Sequence, residues 1–406
     1  MCFRTPPQQQ DPYVNSPSHK AFTRAFLSKS TVAFGQDDYL ACPLGVLFML
    51  SILLGTGGTQ GNTSYQIGKS IRLKSMFSPT NQSEAREEIK SLYKELVESL
   101  TTEIRTENRK NNQVIKISTG TFVQETVEIN PEFQQSLKDD FQEELERVDF
   151  GNRTSAAINI NHWVDEHSYG LVKKFFTSAR EIPKDTWMIM ISVFYFKDYW
   201  ENPFEPHYTR IETFSVSPRR NLKVPMMASE EVLLYEKFQK DGFEMISKPF
   251  RNTRFTFVVI LPLNKWELSK PVEVLNGNKI LSKYVGKLKE TTVSLRMPKF
   301  KLEKTIDLVK PLEEIGIVDL FRPSQADITG ISPNKTLHVN AFLQSNTLKV
   351  DESGVEAAAV TSPILVPVSF IRSEIDFHVN QPFVCFIYDQ QLAMPLLAAQ
   401  VIEPMI

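Results

Sequence analysis

The sequence predicts an α+β fold built as one unit, and three observations carry that prediction. Helical apolar spacing crowds the first 180 residues, whereas strand-like runs dominate the remainder. Several of those runs are continuously apolar over strand length, as strands covered on both faces are. No 20- to 50-residue period repeats and no linker divides the 406 residues, of which 41% are hydrophobic and 28 are phenylalanine.

Taken in order, residues 1–18 are rich in Pro and Gln and are expected to be a disordered extension, with the folded unit spanning 19–406. Helical pattern begins at Lys20 and runs to Leu27. Leu44 to Leu54 is apolar throughout and stops at Gly55-Thr56-Gly57-Gly58, which predicts a helix buried on all sides. Asn81-Gln82-Ser83-Glu84 fits a capping box, after which Ile89, Leu92, Tyr93, Leu96, Val97 and Leu100 recur at helical spacing. That helix runs into Arg105-Thr106-Glu107-Asn108-Arg109-Lys110, whose mixed charge reads as a solvated face and not a polyanion site. Trp187 to Phe196, Phe255 to Leu261 and Phe383 to Ile387 predict doubly covered strands, and Val293 to Met297 alternates as a half-buried one.

Composition excludes several function classes. A net charge of −2 and a pI near 6.4 give no reason to expect nucleic acid or membrane partners. No apolar run reaches the length of a spanning helix, and Met1 to Gln10 has no hydrophobic core of a signal peptide. Cys2, Cys42 and Cys385 are too few and scattered for a disulfide framework or zinc site; Cys42 and Cys385 sit in apolar runs, as buried free thiols do. Gly68-Lys69-Ser70 lacks the glycine that a phosphate loop needs at the place of Thr63. His162 and His167 are five apart, too far round a helix to share a metal, and read as an exposed face. With no nucleophile elbow and no Cys/His signature, neither an enzyme, a metal nor a cofactor is expected. Asn62, Asn81, Asn152 and Asn334 each open an Asn-x-Ser/Thr site, which matters only in a secreted chain.

The most informative stretch lies near the C-terminus. After the β-patterned Leu348-Lys349-Val350 comes Glu352-Ser353-Gly354-Val355-Glu356-Ala357-Ala358-Ala359-Val360-Thr361. Three alanines beside a glycine supply little bulk, a property an exposed loop has no use for but a loop that becomes a buried strand requires. This composition resembles the hinge of the serpins, the protease inhibitors whose reactive loop inserts into their own sheet. Ordered motifs extend the resemblance over about residues 20–404: Cys42-Pro43-Leu44-Gly45-Val46, Gly58-Thr59-Gln60-Gly61, Phe194 to Phe204 with Thr209, Lys223-Val224-Pro225-Met226-Met227, Pro298-Lys299-Phe300, Ala326 to Ser332, Asp376 to Phe383 and Met394-Pro395-Leu396-Leu397. It implies the serpin fold, with three β-sheets, eight to nine helices and a reactive-centre loop at about 352–376, in an insect-like or otherwise divergent member.

What the resemblance implies about function is specific. The chain is expected to be a suicide inhibitor of a serine protease, working by loop cleavage, acyl-enzyme trapping and loop insertion, and to act as a monomer. The hinge is Glu352, Gly354, Val355, Glu356, Ala357, Ala358, Ala359 and Thr361. Fourteen residues beyond Gly354, and nine before Phe377, stands Val368, so the bait bond is Val368-Ser369; preceded by Pro367, it suits an elastase-like pocket. Arg372-Ser373 is the alternative bond, for a trypsin-like protease. Departures from the family stand at the positions beneath the central sheet, here Cys42, Gly45, Ser192 and Gln344: either a rebuilt network in which Ser192 and Gln344 still pair, or a sheet that no longer opens in a controlled way. Val355 in the hinge, Pro363 in the loop beyond it, and Ala399 near the C-terminus are further departures. A non-inhibitory carrier, chaperone-like or structural role on the same fold is the alternative. Family habit places the protein outside the cell, with the cytoplasm the alternative.

Overall fold

Helix and strand form where apolar spacing demands them, and the computed structural model describes residues 17–34, 37–77, 82–111, 114–277, 280–333, 337–355 and 374–405. The chain opens with α1 (Pro17–Phe34), β1 (Tyr39–Ala41), α2 (Pro43–Gly55) and α3 (Gly61–Ile71). It continues through α4 (Gln82–Asn111), β2 (Val114–Gln124), α5 (Pro131–Phe141), β3 (Leu145–Val148) and α6 (Arg153–His167). Five strands follow: β4 (Met188–Tyr199), β5 (Arg210–Ser217), β6 (Arg220–Phe238), β7 (Phe243–Pro249) and β8 (Phe255–Pro262). The last third holds α7 (Ser269–Leu275), α8 (Leu281–Val285), β9 (Lys289–Pro298), β10 (Phe300–Asp307), α9 (Val309–Glu314), β11 (Ala341–Val350), β12 (Gly354–Val355), β13 (Ile375–His378), β14 (Phe383–Asp389) and β15 (Met394–Val401). Nine α-helices therefore stand among the described residues.

The central sheet runs β10-β11-β12-β4-β2-β3, with β11 also pairing directly with β4. A second hydrogen-bonded network runs β1-β15-β14-β8-β7-β6-β9-β13, with β5 on β6. The 19-residue β6 explains how two further sheets become one network: residues up to Met226 pair with β5, Met226 to Tyr235 with β9, and Leu234 to Phe238 with β7.

Every residue of α2 is buried, as its unbroken apolar run predicts, and Pro43 occupies its first turn, where a missing N–H costs nothing. It packs against β4 and β2 of the central sheet on one side and against α1 and α4 on the other. A second apolar cluster lies between α6 with the chain that follows it and the other face of that sheet, joining Ile160, Val164, Phe175 and Phe176 to Ile189, Ile191 and Val193. The sheet is thus covered on both faces, which is why Trp187 to Phe196 carries no polar alternation.

Two expectations are corrected locally. The extension expected through residue 18 is shorter: α1 begins at Pro17, and Ser18 is buried, donating to the Arg72 carbonyl at 3.2 Å. His162 is exposed on α6, whereas His167 folds inward: its ring stacks on Trp163 at 4.0 Å and its Nδ1 lies 2.8 Å from the Trp163 carbonyl. Residues 1–16, with Cys2, and Asn81 and Asn334 lie outside the described residues, as do the side chains of Arg105 to Lys110.

Candidate functional site

The site is a parting in the central sheet. β4 and β11 pair in parallel from Ile189 opposite Ala341 to Phe194 opposite Asn346, and there their direct pairing stops. Beyond that point the two-residue β12 lies between them, antiparallel to both: Gly354 faces Tyr199, and Val355 faces Asp198 on one side and Val350 on the other. The sheet is closed below and held open above by the two residues of β12. Val355 already points inward, its side chain 2% exposed and part of the main core. Glycine precedes it for a steric reason. A Cβ on Gly354 would stand 2.1 Å from the Asp198 carbonyl oxygen and 2.7 Å from Tyr199 Cα.

The turn that leads into β12 is fastened through its backbone. All three carbonyls of residues 351–353 are taken by one short segment after β4: Trp200 Nε1 donates to Asp351 O at 2.9 Å, Phe204 N to Glu352 O at 2.9 Å, and Trp200 N to Ser353 O at 2.9 Å. Asp351 closes the turn from within, its carboxylate accepting from Ser353 N at 2.9 Å and Gly354 N at 3.3 Å. Burial pushes the Asp351 carboxyl up, against the pull of those two N–H groups and of Lys299. Burial also acts to raise Glu352, but hydrogen bonds from Lys299 Nζ at 2.7 Å and Thr209 Oγ1 at 3.0 Å outweigh it and hold that carboxyl below its usual range. Glu352 thus ties the hinge to β10 and β5 at their near ends.

Beneath the parting, Gln344 has become the bridge. Its Oε1 accepts from Cys42 N at 2.8 Å, its Nε2 donates to Cys42 O at 2.8 Å, and Asn346 Nδ2 donates both to Gln344 Oε1 at 2.9 Å and to Leu40 O at 3.1 Å. Ser192 stands opposite Gln344 in the register, yet its Oγ finds no hydrogen-bond partner among the described residues. The Ser192–Gln344 pair is accordingly overturned. The physical reason is Gly45: a Cβ there would lie 2.2 Å from Ser192 Oγ, so the hydroxyl occupies space that a missing side chain leaves, while the Gln344 amide reaches past it to the backbone before α2. Cys42 caps this arrangement as a buried free thiol, pushed up to about 12 by burial, and Cys385 is likewise buried and free.

Of the residues singled out from sequence, the structure brings Glu352, Gly354 and Val355 together with Trp200 and Thr209, and Cys42, Gly45, Ser192 and Gln344 together below them. Glu356, Ala357, Ala358, Ala359, Thr361, Pro363, Val368, Ser369, Arg372 and Ser373 lie outside the described residues. Reasoning from the sequence missed Asn346, whose only signal was its place in the polar run Gln344-Ser345-Asn346-Thr347 at the middle of β11, and Asp351, which looks like any residue ahead of a turn.

Comparison with known proteins gives a consistent result. The family model for serpins, serine protease inhibitors, matches residues 18–404. A serpin of the trematode Schistosoma haematobium is 55% identical with a TM-score of 0.88, covering 96% of this chain and 100% of that one. The serpin of Schistosoma mansoni is 57% identical with a TM-score of 0.86, over 95% of this chain and 100% of that one. Pig plasminogen activator inhibitor 1 is 28% identical over 366 residues, 89% of this chain and 86% of its own.

Proposed function

Since this chain belongs to the serpin family, we propose that it traps a serine protease by inserting its own cleaved loop into the central sheet. The observation that carries the reading is the parting itself: β4 and β11 are zipped as far as Phe194 and Asn346, and β12 already occupies its far end, where Val355 faces Asp198 and Val350. A strand extending from Val355 along that line gains ladder bonds on both sides. The name of plasminogen activator inhibitor 1 supports a protease as the partner.

The chemistry belongs to the protease. Its serine Oγ attacks the carbonyl carbon of the bait residue, the peptide C–N bond to the next residue breaks, and the new amine leaves with a proton, so an ester joins the two proteins. Freed from its C-terminal half, the loop follows β12 into the sheet and carries the ester along. Distortion of the oxyanion hole then stalls deacylation, each donor removed costing roughly 10²–10³ in rate. We place the bait bond at Val368-Ser369, for an elastase-like pocket, with Arg372-Ser373 as the trypsin-like alternative. An extracellular setting accompanies this reading, and Asn62 and Asn152 are exposed there for glycan attachment.

The test is incubation with elastase followed by denaturing electrophoresis and mass mapping. A denaturant-stable complex near the summed mass, with release of a peptide beginning at Ser369, is expected. Clean cleavage with no complex would instead mark a non-inhibitory carrier or structural role.

A further inference from the structure

A lysine and a glutamate that no step above uses are buried directly behind the hinge. Lys248, on β7, is 1% exposed and Glu231, on β6, is 8% exposed, with Lys248 Nζ 2.5 Å from Glu231 Oε1. The ammonium also donates to Asn202 O at 2.9 Å and lies 4.6 Å from the Phe204 ring centre and 5.6 Å from that of Trp200. Ser229 Oγ donates to the same Glu231 oxygen at 2.7 Å, while Glu231 Oε2 is buried without a hydrogen-bond partner among the described residues. Asn202, Trp200 and Phe204 are the segment whose N–H groups hold the three carbonyls of the hinge turn.

We propose that Lys248 and Glu231 are positioning residues for loop insertion, fixing residues 200–204 so that their donors meet the hinge. The argument is one of energy against geometry. A buried ion pair is a poor source of stability, since desolvating two charges offsets their attraction, and well-packed apolar replacements are often neutral or stabilising. This pair, moreover, leaves one carboxylate oxygen unsatisfied, which a purely stabilising contact has no reason to tolerate. What an apolar pair cannot do is hold the Asn202 carbonyl and draw two aromatic rings onto one cation. Lys248 does both, and the stacking of Trp200 on Phe250, 4.8 Å apart and 8° from parallel, completes the clamp. The Trp200 indole N–H and the Trp200 and Phe204 amides are then aimed at Asp351, Glu352 and Ser353 before any protease arrives.

This inference deepens the inhibitory reading and rests on it for its purpose, but its geometry is measured without a protease. The full chain is compared with the double variant Lys248→Met/Glu231→Gln, which removes both charges together, and with Lys248→Arg, which keeps the cation. Amide hydrogen exchange is followed in peptides covering 199–204 and 350–355, with melting measured alongside. The double variant is expected to melt at or above the parent temperature, yet to exchange in both peptides about tenfold faster, as the loss of one charge-anchored hydrogen bond implies. Its complexes with elastase should fall in favour of cleaved inhibitor, with the initial association rate unchanged. Lys248→Arg should restore protection in part. Parent-like exchange in the double variant overturns the proposal, as does faster exchange spread evenly over the molecule with a lowered melting temperature, since that is simple destabilisation. If the parent forms no complex with any protease while the exchange pattern appears as expected, the positioning role stands and the inhibitory reading falls.

Discussion

Replacing Gly354 by alanine tests the parting at its narrowest point. The added methyl would lie 2.1 Å from the Asp198 carbonyl oxygen, 2.7 Å from Tyr199 Cα and 3.0 Å from Asp198 C, all backbone atoms of β4 that cannot rotate away. Relief comes from lifting β12 out of the sheet, which exposes Val355 and gives up the Asp351 N to Gly354 O bond of 3.0 Å. Burying a valine side chain is worth about 2 kcal/mol, so the seated state loses about thirtyfold in population from that contribution alone. The rest of the fold is untouched, because the clash is confined to the two residues of β12. Hydrogen exchange in a peptide spanning 350–355 should accelerate by about that factor. In an elastase assay the variant should be cleaved with little complex, since insertion is refused at its first step. Gly354→Ala with parent-like exchange and parent-like complex yield would refute both the register of β12 and its role as the seed of insertion.

Further outcomes follow from the same geometry. Val368→Arg is expected to redirect the chain from elastase-like to trypsin-like proteases, because a trypsin-like pocket offers an acidic group to a basic side chain; mass mapping that finds a fragment beginning at Ser373 in the parent would overturn the register. Ser192→Ala should be neutral or slightly stabilising, as its Oγ has no hydrogen-bond partner among the described residues, whereas Gln344→Ala strips the Cys42 N–H and C=O of their bonds and should cost about 2–4 kcal/mol in chemical denaturation. Equal costs for the two would restore the Ser192–Gln344 pair. Two groups, His19 in the core and the half-buried Glu143, give opposite slopes of stability with pH. Burial, helped by the charge of Lys20, lowers His19 to about 4, so its native state resists a proton that the unfolded chain accepts. Stability present above pH 6.5 is lost as pH falls towards 4, by at most about 3 kcal/mol, and His19→Leu should flatten that limb. Burial raises Glu143 to about 7 against the hydrogen bond from Thr119, so its native proton contributes stability below pH 4.5 that is lost as pH rises through 7, and Glu143→Gln should remove that loss. Denaturation curves of the two variants between pH 4 and 8 that track the parent would show these groups to be solvated.

The sequence by itself determined the local elements and the kind of molecule. An apolar run with no polar face, such as Leu44 to Leu54, has to be buried on all sides, and it is α2; the runs at Trp187, Phe255 and Phe383 have to be strands covered on both faces, and they are β4, β8 and β14. The small residues after Gly354 raised the expectation of a segment made to enter a sheet, of which Gly354 and Val355 alone lie among the described residues. The tertiary structure decided where that entry stands. Whether Val355 is outside or already seated depends on the separation of β4 from β11, strands some 150 residues apart in the chain, and nothing local encodes that separation. The same reason hid Asn346 from view and put Gln344 on the Cys42 backbone instead of on Ser192, because a hydrogen bond is chosen by distances of a few tenths of an ångström between elements. Lys248 was the least legible of all. In sequence it is one lysine between a serine and a proline. Only when β6, β7 and the turn after β4 converge does it become a buried cation among aromatic rings, set behind the hinge it supports.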